Sequence, residues 1–208
     1  RSDAIALAPL TDRITYLEEG DMAVVTRTSV EIRDASGALA NREMKQIKTD
    51  ATRVDKAGHK HFMAKEIAEQ PQVISEAIGH YFGAGQSEIR FPSDEVDFTH
   101  VTRMVMVACG TAFYACLTAK YWIEKLAGIP VEVDVASEFR YREPPVGPGT
   151  LALFVSQSGE TADTLAALRY CKGKADRIVS VVNVTESSIA RESDVALPIL
   201  AGTEIGVA

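Results

Sequence analysis

The feature that most constrains the fold is a series of short apolar runs between residues 100 and 208. Met104–Ala108, Leu151–Val155 and Ile178–Val182 are almost wholly apolar, and Ile129–Val135 and Val195–Ile199 are further strand candidates. A helical pattern over Ala112–Leu126 follows the run Met104–Ala108, and another over Ala162–Cys171 follows the run Leu151–Val155. Apolar strands that alternate with helices are buried on both faces, which is typical of a parallel sheet with helical crossovers. We therefore predict a doubly wound α/β domain with helices on both faces.

The first 49 residues have a different texture. Met22–Thr26 and Ser29–Arg33 flank a short polar turn and predict a hairpin, and Thr15–Leu17 predicts another short strand. A few strands are marginally stable alone. We expect this stretch to belong to a sheet that continues before Arg1.

Residues 50–99 are polar at first and then helical. Phe62, Ile67, Val73, Ile74, Ile78 and Phe82 recur at roughly helical spacing. Pro71 lies inside this pattern and predicts a break between two helices, because proline removes a helical hydrogen bond. We expect a connector with one packed face.

Composition excludes several classes of protein. The 208 residues are 46% apolar and 25% charged, which is ordinary for a folded chain, and the net charge of −7 disfavours nucleic acid or an anionic membrane as a partner. No apolar run approaches the roughly 20 residues of a membrane-spanning helix, and the start lacks a signal core. The three cysteines match neither a zinc site nor a disulfide framework, so we predict a cytoplasmic protein. The chain starts without Met and ends without a polar tail, from which we expect a fragment of something longer.

The strongest chemical signal is the segment from Ser156 to Thr161. It follows an apolar strand and opens a helix, and it carries three hydroxyls and Gly159. Ligands of open parallel sheets bind at the carboxyl ends of strands, where a helix N-terminus offers unpaired N–H groups to an anion. The pattern favours a phosphate or sugar phosphate. The alternative is that Ser158 or Thr161 merely caps the helix. The segment is neither a Walker loop nor a dinucleotide fingerprint.

A second signal follows the first strand of the domain, at Cys109-Gly110-Thr111. Cys109 could be a nucleophile, because a nearby helix N-terminus lowers a thiol pKa. The favoured interpretation is a small residue that lines a pocket, since no His or Asp partner lies near it in sequence. Thr111 could donate to a ligand hydroxyl or cap the next helix.

The remaining candidates carry weaker signals. His59 and His61 could bind a metal but are more simply solvated, so no metal site is predicted. Glu138–Glu143 could contact phosphate but favours a surface turn with ion pairs. Tyr121 and Trp122 are interpreted as packing residues and Asp194 as a turn residue. The sequence shows no Ser/His/Asp triad, no glycosidase carboxylate pair and no candidate general base.

Several segments, in order, carry a family resemblance. Leu17–Asp21, Lys65–Pro71, Ala108–Thr111, Leu126–Pro130, Ala136–Arg142, Ser156–Leu165, Arg191–Asp194 and Ala201–Ala208 resemble the glutamine–fructose-6-phosphate aminotransferase (isomerising) family, also called glucosamine-6-phosphate synthases. The resemblance implies three parts: residues 1–49 as the incomplete C-terminal end of an α+β glutaminase domain, 50–99 as a helical linker, and 100–208 as the first of two flavodoxin-like sugar isomerase (SIS) domains.

The resemblance also implies an activity. The family makes glucosamine 6-phosphate and glutamate from fructose 6-phosphate and glutamine, the first step towards UDP-N-acetylglucosamine. Its nucleophilic cysteine would lie before Arg1, and its acid/base groups and Schiff-base lysine would lie after Ala208. We therefore expect no catalytic residue in this chain, no cofactor, and no synthase activity from the chain alone. A homodimer through the SIS domains is also implied.

Ligand contacts carry over residue by residue. The resemblance assigns sugar-phosphate binding to Cys109, Gly110, Thr111, Ser156, Gln157, Ser158, Thr161 and Val207. Ala112 departs from the Ser of many family members and removes one possible contact. The alternatives are a stand-alone SIS module that senses a phosphosugar, and another SIS isomerase such as an arabinose-phosphate isomerase. The sheet-like start argues against an attached helix-turn-helix, and the closing Thr203–Ala208 segment argues against the second alternative.

Overall fold

The computed structural model describes residues 11–46, 56–82, 89–91 and 97–206, and it divides the chain into two compact units, 1–55 and 56–208. In the first unit, strands β1 (Arg13–Thr15) and β4 (Met44–Gln46) pair antiparallel, as do β2 (Met22–Val25) and β3 (Val30–Arg33). The predicted hairpin is therefore confirmed. The strand expected at Thr15–Leu17 lies earlier, at β1.

The second unit contains one long helix followed by an alternation of strands and helices. Its elements are α1 (Phe62–Phe82), β5 (Arg103–Ala108), α2 (Gly110–Ala127), β6 (Val131–Val135), α3 (Ala136–Arg142), β7 (Thr150–Ser156), α4 (Ala162–Cys171), β8 (Arg177–Val182), α5 (Ser188–Glu192) and β9 (Val195–Pro198). Among the described helices, none combines the length and apolar character that crossing a bilayer requires.

Strands β5 to β9 form one parallel sheet in the order β6-β5-β7-β8-β9. Strand β5 is the first strand of this sheet along the chain. Strand β6 pairs on one side of it, and β7, β8 and β9 follow on the other side. This is the flavodoxin-like order, and it confirms the predicted doubly wound fold. In such a sheet the winding direction reverses between the first and third strands, and a crevice opens there.

The core of the sheet has two faces because side chains alternate along each strand. On one face, Val105 and Val107 of β5 pack with Ala152 and Phe154 of β7, under α3, α4 and α5. On the other, Met106 and Ala108 pack with Cys116 of α2. Burial on both faces explains why these strands read as continuous apolar runs.

Helix α1 corrects one expectation from the sequence. Pro71 was predicted to separate two helices, but α1 continues through it from Phe62 to Phe82. Both halves of α1 are tied to the end of the chain, because Glu66 accepts two backbone N–H groups there and the Tyr81 hydroxyl donates to the Pro198 carbonyl at 2.8 Å. These contacts offset the roughly 3 kcal/mol that an interior proline costs a helix.

Two further interpretations were wrong. The segment Glu138–Glu143 was expected to be a surface turn, but most of it belongs to the short helix α3, which buries Phe139 completely. Tyr121 and Trp122 were expected to pack, but they are 69% and 64% exposed. Helix α2 turns Cys116 and its neighbours to the sheet, which leaves Tyr121 and Trp122 on its outer side.

Candidate functional site

The two predicted binding segments meet at the carboxyl edge of the sheet. Ala108, at the end of β5, lies opposite Val155 of the neighbouring β7. Cys109 therefore follows one strand at the level where Ser156 ends the other. Because the winding direction reverses between these two strands, both segments open into the crevice where ligands of this fold bind. The two motifs therefore lie side by side at the edge where the parallel strands end.

The turn after β7 is closed by its own hydroxyls. The Ser156 Oγ accepts the Gly159 N–H at 3.1 Å and lies 3.0 Å from the Thr161 Oγ1. The Ser158 Oγ accepts the Glu160 N–H at 3.2 Å. Ser156 is 3% exposed, whereas Ser158 is exposed and Thr161 is partly exposed. Ser156 thus shapes the turn from inside, and the Ser158 side chain lies at its surface.

Two helices start at this edge without a side-chain cap. Neither Cys109 at the start of α2 nor Thr161 at the start of α4 makes a capping hydrogen bond. The alternative that Ser158 or Thr161 caps α4 was therefore wrong. An uncapped helix start leaves backbone N–H groups and the positive end of the helix dipole available to an anion. The sheet thus directs two such starts towards one crevice.

Helix α5 braces the turn from behind. The Gly159 carbonyl accepts the Ile189 N–H at 3.0 Å, and the Glu160 carboxylate accepts the Ser188 N–H at 2.8 Å. Gly159 has φ +66°, and a Cβ at this position would collide with Ser187. The turn therefore needs glycine at 159 both for its backbone conformation and for space. The bond from Ser188 also fixes the position of the Glu160 side chain.

Cys109 packs beside the core, and its predicted role as a pocket-lining residue stays a prediction. It is partly buried, and its Sγ accepts a long hydrogen bond of 3.9 Å from the Thr164 hydroxyl of α4. This contact joins the first segment to the helix that follows the second. Burial raises the pKa of each of the other two thiols, Cys116 and Cys171, to about 11. Those two cysteines belong to the core.

The matching family model is the SIS domain, over residues 97–208. The chain belongs to the SIS domain family. Those residues include both strand-end segments and the whole five-stranded sheet.

Relatives over the whole chain agree with this assignment. The chain is 57% identical over 208 residues to the glutamine–fructose-6-phosphate aminotransferase [isomerizing] of Rhizobium meliloti (strain 1021), and 54% identical over 207 residues to that of Brucella abortus biovar 1 (strain 9-941). All of this chain is covered in both cases, but only 34% of each relative. The chain thus spans about a third of the length of these relatives.

A solved structure also resembles the chain. The C-terminal domain of glucosamine-fructose-6-phosphate aminotransferase from Francisella tularensis matches with a TM-score of 0.70 and 45% identity, over 74% of this chain and 44% of that one. A putative phosphosugar isomerase from Silicibacter pomeroyi shares the fold, with a TM-score of 0.55 at 23% identity.

The other candidates from the sequence are the charged segment Glu138–Glu143, the histidines His59 and His61, and Val207. In the SIS domain, Arg140 donates to Asp163 at 2.8 Å, and Arg142 donates to Glu132 and Asp134 at 2.6 and 2.7 Å. The expected ion pairs of this segment are therefore present, on a helix instead of a turn. His59 and His61 are both exposed. Val207 lies outside the described residues, so its predicted sugar contact stays a prediction.

Two residues around the SIS site were missed from the sequence. Asn183 follows β8, and its N–H donates to the Gln157 carbonyl at 3.0 Å. Its position in the sequence could have signalled it, because Asn183 directly follows a neighbouring parallel strand at the same edge of the sheet. Glu66 contacts the segment after β9 from α1, 139 and 140 residues away in sequence. No local pattern signals a contact of that kind.

Proposed function

We propose that this chain is the central part of a glutamine–fructose-6-phosphate aminotransferase (isomerising) and that its SIS domain binds the hexose 6-phosphate. The observation that carries the proposal is the pair of uncapped helix starts, α2 and α4, beside the hydroxyls of the Ser156–Thr161 turn. The names of the relatives support the substrate. The whole enzyme would convert fructose 6-phosphate and glutamine to glucosamine 6-phosphate and glutamate.

The turn suggests a division of roles for the phosphate group. The Ser156 oxygen accepts the Gly159 N–H, so we infer that the Ser156 proton is directed to Thr161. The Thr161 hydroxyl would then donate its own proton to a phosphate oxygen, together with Ser158 and the polar side chain of Gln157. Each hydrogen bond to a charged group contributes roughly 1.5–3 kcal/mol.

The segment after β5 suits the sugar. Cys109, Gly110 and Thr111 would line the hydroxyl-bearing part of the ligand, opposite the phosphate turn. Gly110 has φ +56°, and nothing lies within 4 Å of where a Cβ would stand, so the backbone can be approached closely. Val207 is proposed as a further sugar contact on the resemblance alone. The reacting groups are assigned to parts of the enzyme beyond this chain.

The outer face of α2 suggests a subunit interface. Tyr121, Trp122 and Leu126 are each more than 60% exposed, and Tyr114 lies on the same side. Aromatic residues are enriched in the buried centres of interfaces. We propose that this face supports a cytoplasmic homodimer through the SIS domains, with no role for nucleic acid or membrane given the net charge of −7. Changing Trp122 to Glu should shift the full-length protein towards monomer in analytical ultracentrifugation.

The test of the substrate is calorimetric titration of the full-length protein with fructose 6-phosphate, with fructose as the matched control. Binding of the phosphorylated sugar alone, together with glucosamine 6-phosphate formation when glutamine is added, would support the proposal. Binding without product would indicate a phosphosugar-sensing module instead. Equal binding of fructose and fructose 6-phosphate would show that the Ser156–Thr161 turn does not bind the phosphate group. The isolated chain 1–208 should make no product.

A further inference from the structure

The segment that follows β9 is held at its far end by one carboxylate. The Glu66 Oε1 on α1 accepts the backbone N–H groups of Ile205 and Gly206, at 2.7 and 2.9 Å. A Cβ on Gly206 would lie 3.3 Å from the Met63 backbone and 2.6 Å from the Glu66 Oε2. The segment therefore lies close against α1, and glycine at 206 permits that approach.

The near end of the same segment is held by Asn183. The Asn183 Oδ1 accepts the Ala201 N–H at 2.8 Å, and the Asn183 Nδ2 donates to the Gly202 carbonyl at 2.6 Å. The backbone N–H of Asn183 donates to the Gln157 carbonyl at 3.0 Å. Asn183 thus joins the segment to the proposed phosphate turn, through its side-chain amide on one side and its backbone N–H on the other.

A cleft of about 230 Å³ lies between α1 and this segment. Its walls combine side chains from α1, from the segment and from the phosphate turn, among them Glu66, Ala201 and Gln157. Gln157 therefore has its backbone fixed by Asn183 and its surroundings bounded by α1. A shift of α1 relative to the segment would change both.

We propose that Glu66 is a positioning residue for the sugar-phosphate site, which holds residues 199–206 on α1 and, through Asn183, fixes Gln157 in the turn after β7. This inference rests on the proposed function of that turn. Glu66 itself does not touch the ligand in the proposal. Its contribution is to keep α1 and the phosphate turn in one arrangement, so the ligand meets a site that is already formed.

The substitutions to compare in the full-length protein are Glu66→Ala, Glu66→Gln and Glu76→Gln. Glu66→Ala should raise the dissociation constant for fructose 6-phosphate about 5- to 20-fold, since a bond to a charged group is lost and the turn is less ordered. Glu66→Gln keeps an oxygen that accepts both N–H groups, so its dissociation constant should stay within about 3-fold of wild type. Glu76 is an exposed α1 residue whose carboxylate accepts a hydrogen bond from Gln72. Glu76→Gln should therefore bind fructose 6-phosphate like wild type.

The path through Asn183 is tested by a double-mutant cycle. Asn183→Ala removes both side-chain bonds to the segment and leaves the backbone bond to Gln157. If Glu66 acts through the segment, combining Glu66→Ala with Asn183→Ala should raise the dissociation constant by no more than about 2-fold beyond that of the worse single variant. Additive losses would overturn the path. Unchanged affinity in Glu66→Ala, with a lower melting temperature, would show a merely structural role and overturn the proposal.

A measurement on the unmodified protein tests the inference even if the variants fail to fold. Coupling between two sites is reciprocal, so fructose 6-phosphate should slow hydrogen exchange of the Ile205 and Gly206 amides if the segment of residues 199–206 and the phosphate turn are linked. Exchange that ignores the sugar would overturn the inference. Failure of the wild type to bind fructose 6-phosphate would instead overturn the proposed function, which separates the two.

Discussion

The hydroxyl oxygens of Ser156 and Thr161 lie 3.0 Å apart, across the turn that joins β7 to α4. The Thr161 hydroxyl makes this contact and no capping hydrogen bond to the helix that it precedes. The first N–H groups of α4 are left without a side-chain acceptor. Helix α2 also starts without a side-chain cap, so this edge of the sheet presents a pair of helix ends that an anion would complete.

Replacing Ser158 by Ala should weaken fructose 6-phosphate binding by roughly 1–3 kcal/mol, or about 5- to 150-fold in the dissociation constant, through loss of a charge-assisted bond. Ser158 is exposed and its oxygen accepts only a local N–H from Glu160 among the bonds seen, so stability should change little. Calorimetric titration and thermal melting separate the two effects. The matched control is Thr102→Ala, because Thr102 precedes β5 at the opposite edge of the sheet. Equal affinity in Ser158→Ala would mean that this hydroxyl only shapes the loop.

Gly159→Ala should destabilise the protein more than Gly173→Ala. Both glycines have positive φ, at +66° and +72°, so both substitutions carry the backbone penalty. Only at 159 would the new Cβ collide with Ser187, whereas nothing lies within 4 Å at 173. The difference in unfolding free energy between the two variants should be about 1–3 kcal/mol, measured by urea denaturation. Equal losses would show that the turn relaxes away from α5.

Alkylation should distinguish Cys109 from the other two thiols of the chain. Burial raises the pKa of Cys116 and Cys171 to about 11, so at pH 8 roughly one in a thousand of these groups is a thiolate. Iodoacetamide followed by peptide mapping should modify Cys109 first, and fructose 6-phosphate should slow that reaction. All three should react at similar rates in denaturant. Rapid native labelling of Cys171 would contradict the packed core under α4.

Glu192 should contribute stability that depends on pH. Its carboxylate accepts from Arg169 at 2.7 Å and from Lys172 at 3.0 Å, and the Arg169 hydrogen bond is the largest cause that lowers the pKa of Glu192 below its ordinary 4.5. A lowered folded-state pKa gives stability that is present above the ordinary value and lost as pH falls through the lowered one. Glu192→Gln should therefore cost about 0.5–1 kcal/mol at pH 7.

The check is chemical denaturation of wild type and Glu192→Gln across a pH series. The two should converge in acid, once Glu192 is protonated in the folded protein. Glu76→Gln on the exposed side of α1 serves as the matched control and should follow wild type throughout. A difference that persists unchanged into acid would indicate lost packing instead of lost charge.

The parallel sheet and the two binding segments could be predicted because their signals are local. Val105 and Val107 face one side of β5 and Met106 and Ala108 the other, so burial on both faces leaves a continuous apolar run. Helix α4 was placed at its observed bounds, Ala162–Cys171. The short helices α3 and α5 were missed, because five to seven residues carry too little periodicity.

What the sequence by itself determined is the order of the five sheet strands and of helices α2 and α4, and the position of polar turns at strand ends, since these follow from the spacing of neighbouring residues. What only the tertiary structure decided is which distant groups meet. Helix α1 passes through Pro71 because its two halves are anchored to residues far along the chain. Glu66 reaches Ile205 and Gly206 across some 140 residues, and α2 leaves Trp122 outside. Such contacts depend on how whole elements pack, and no local spacing records that.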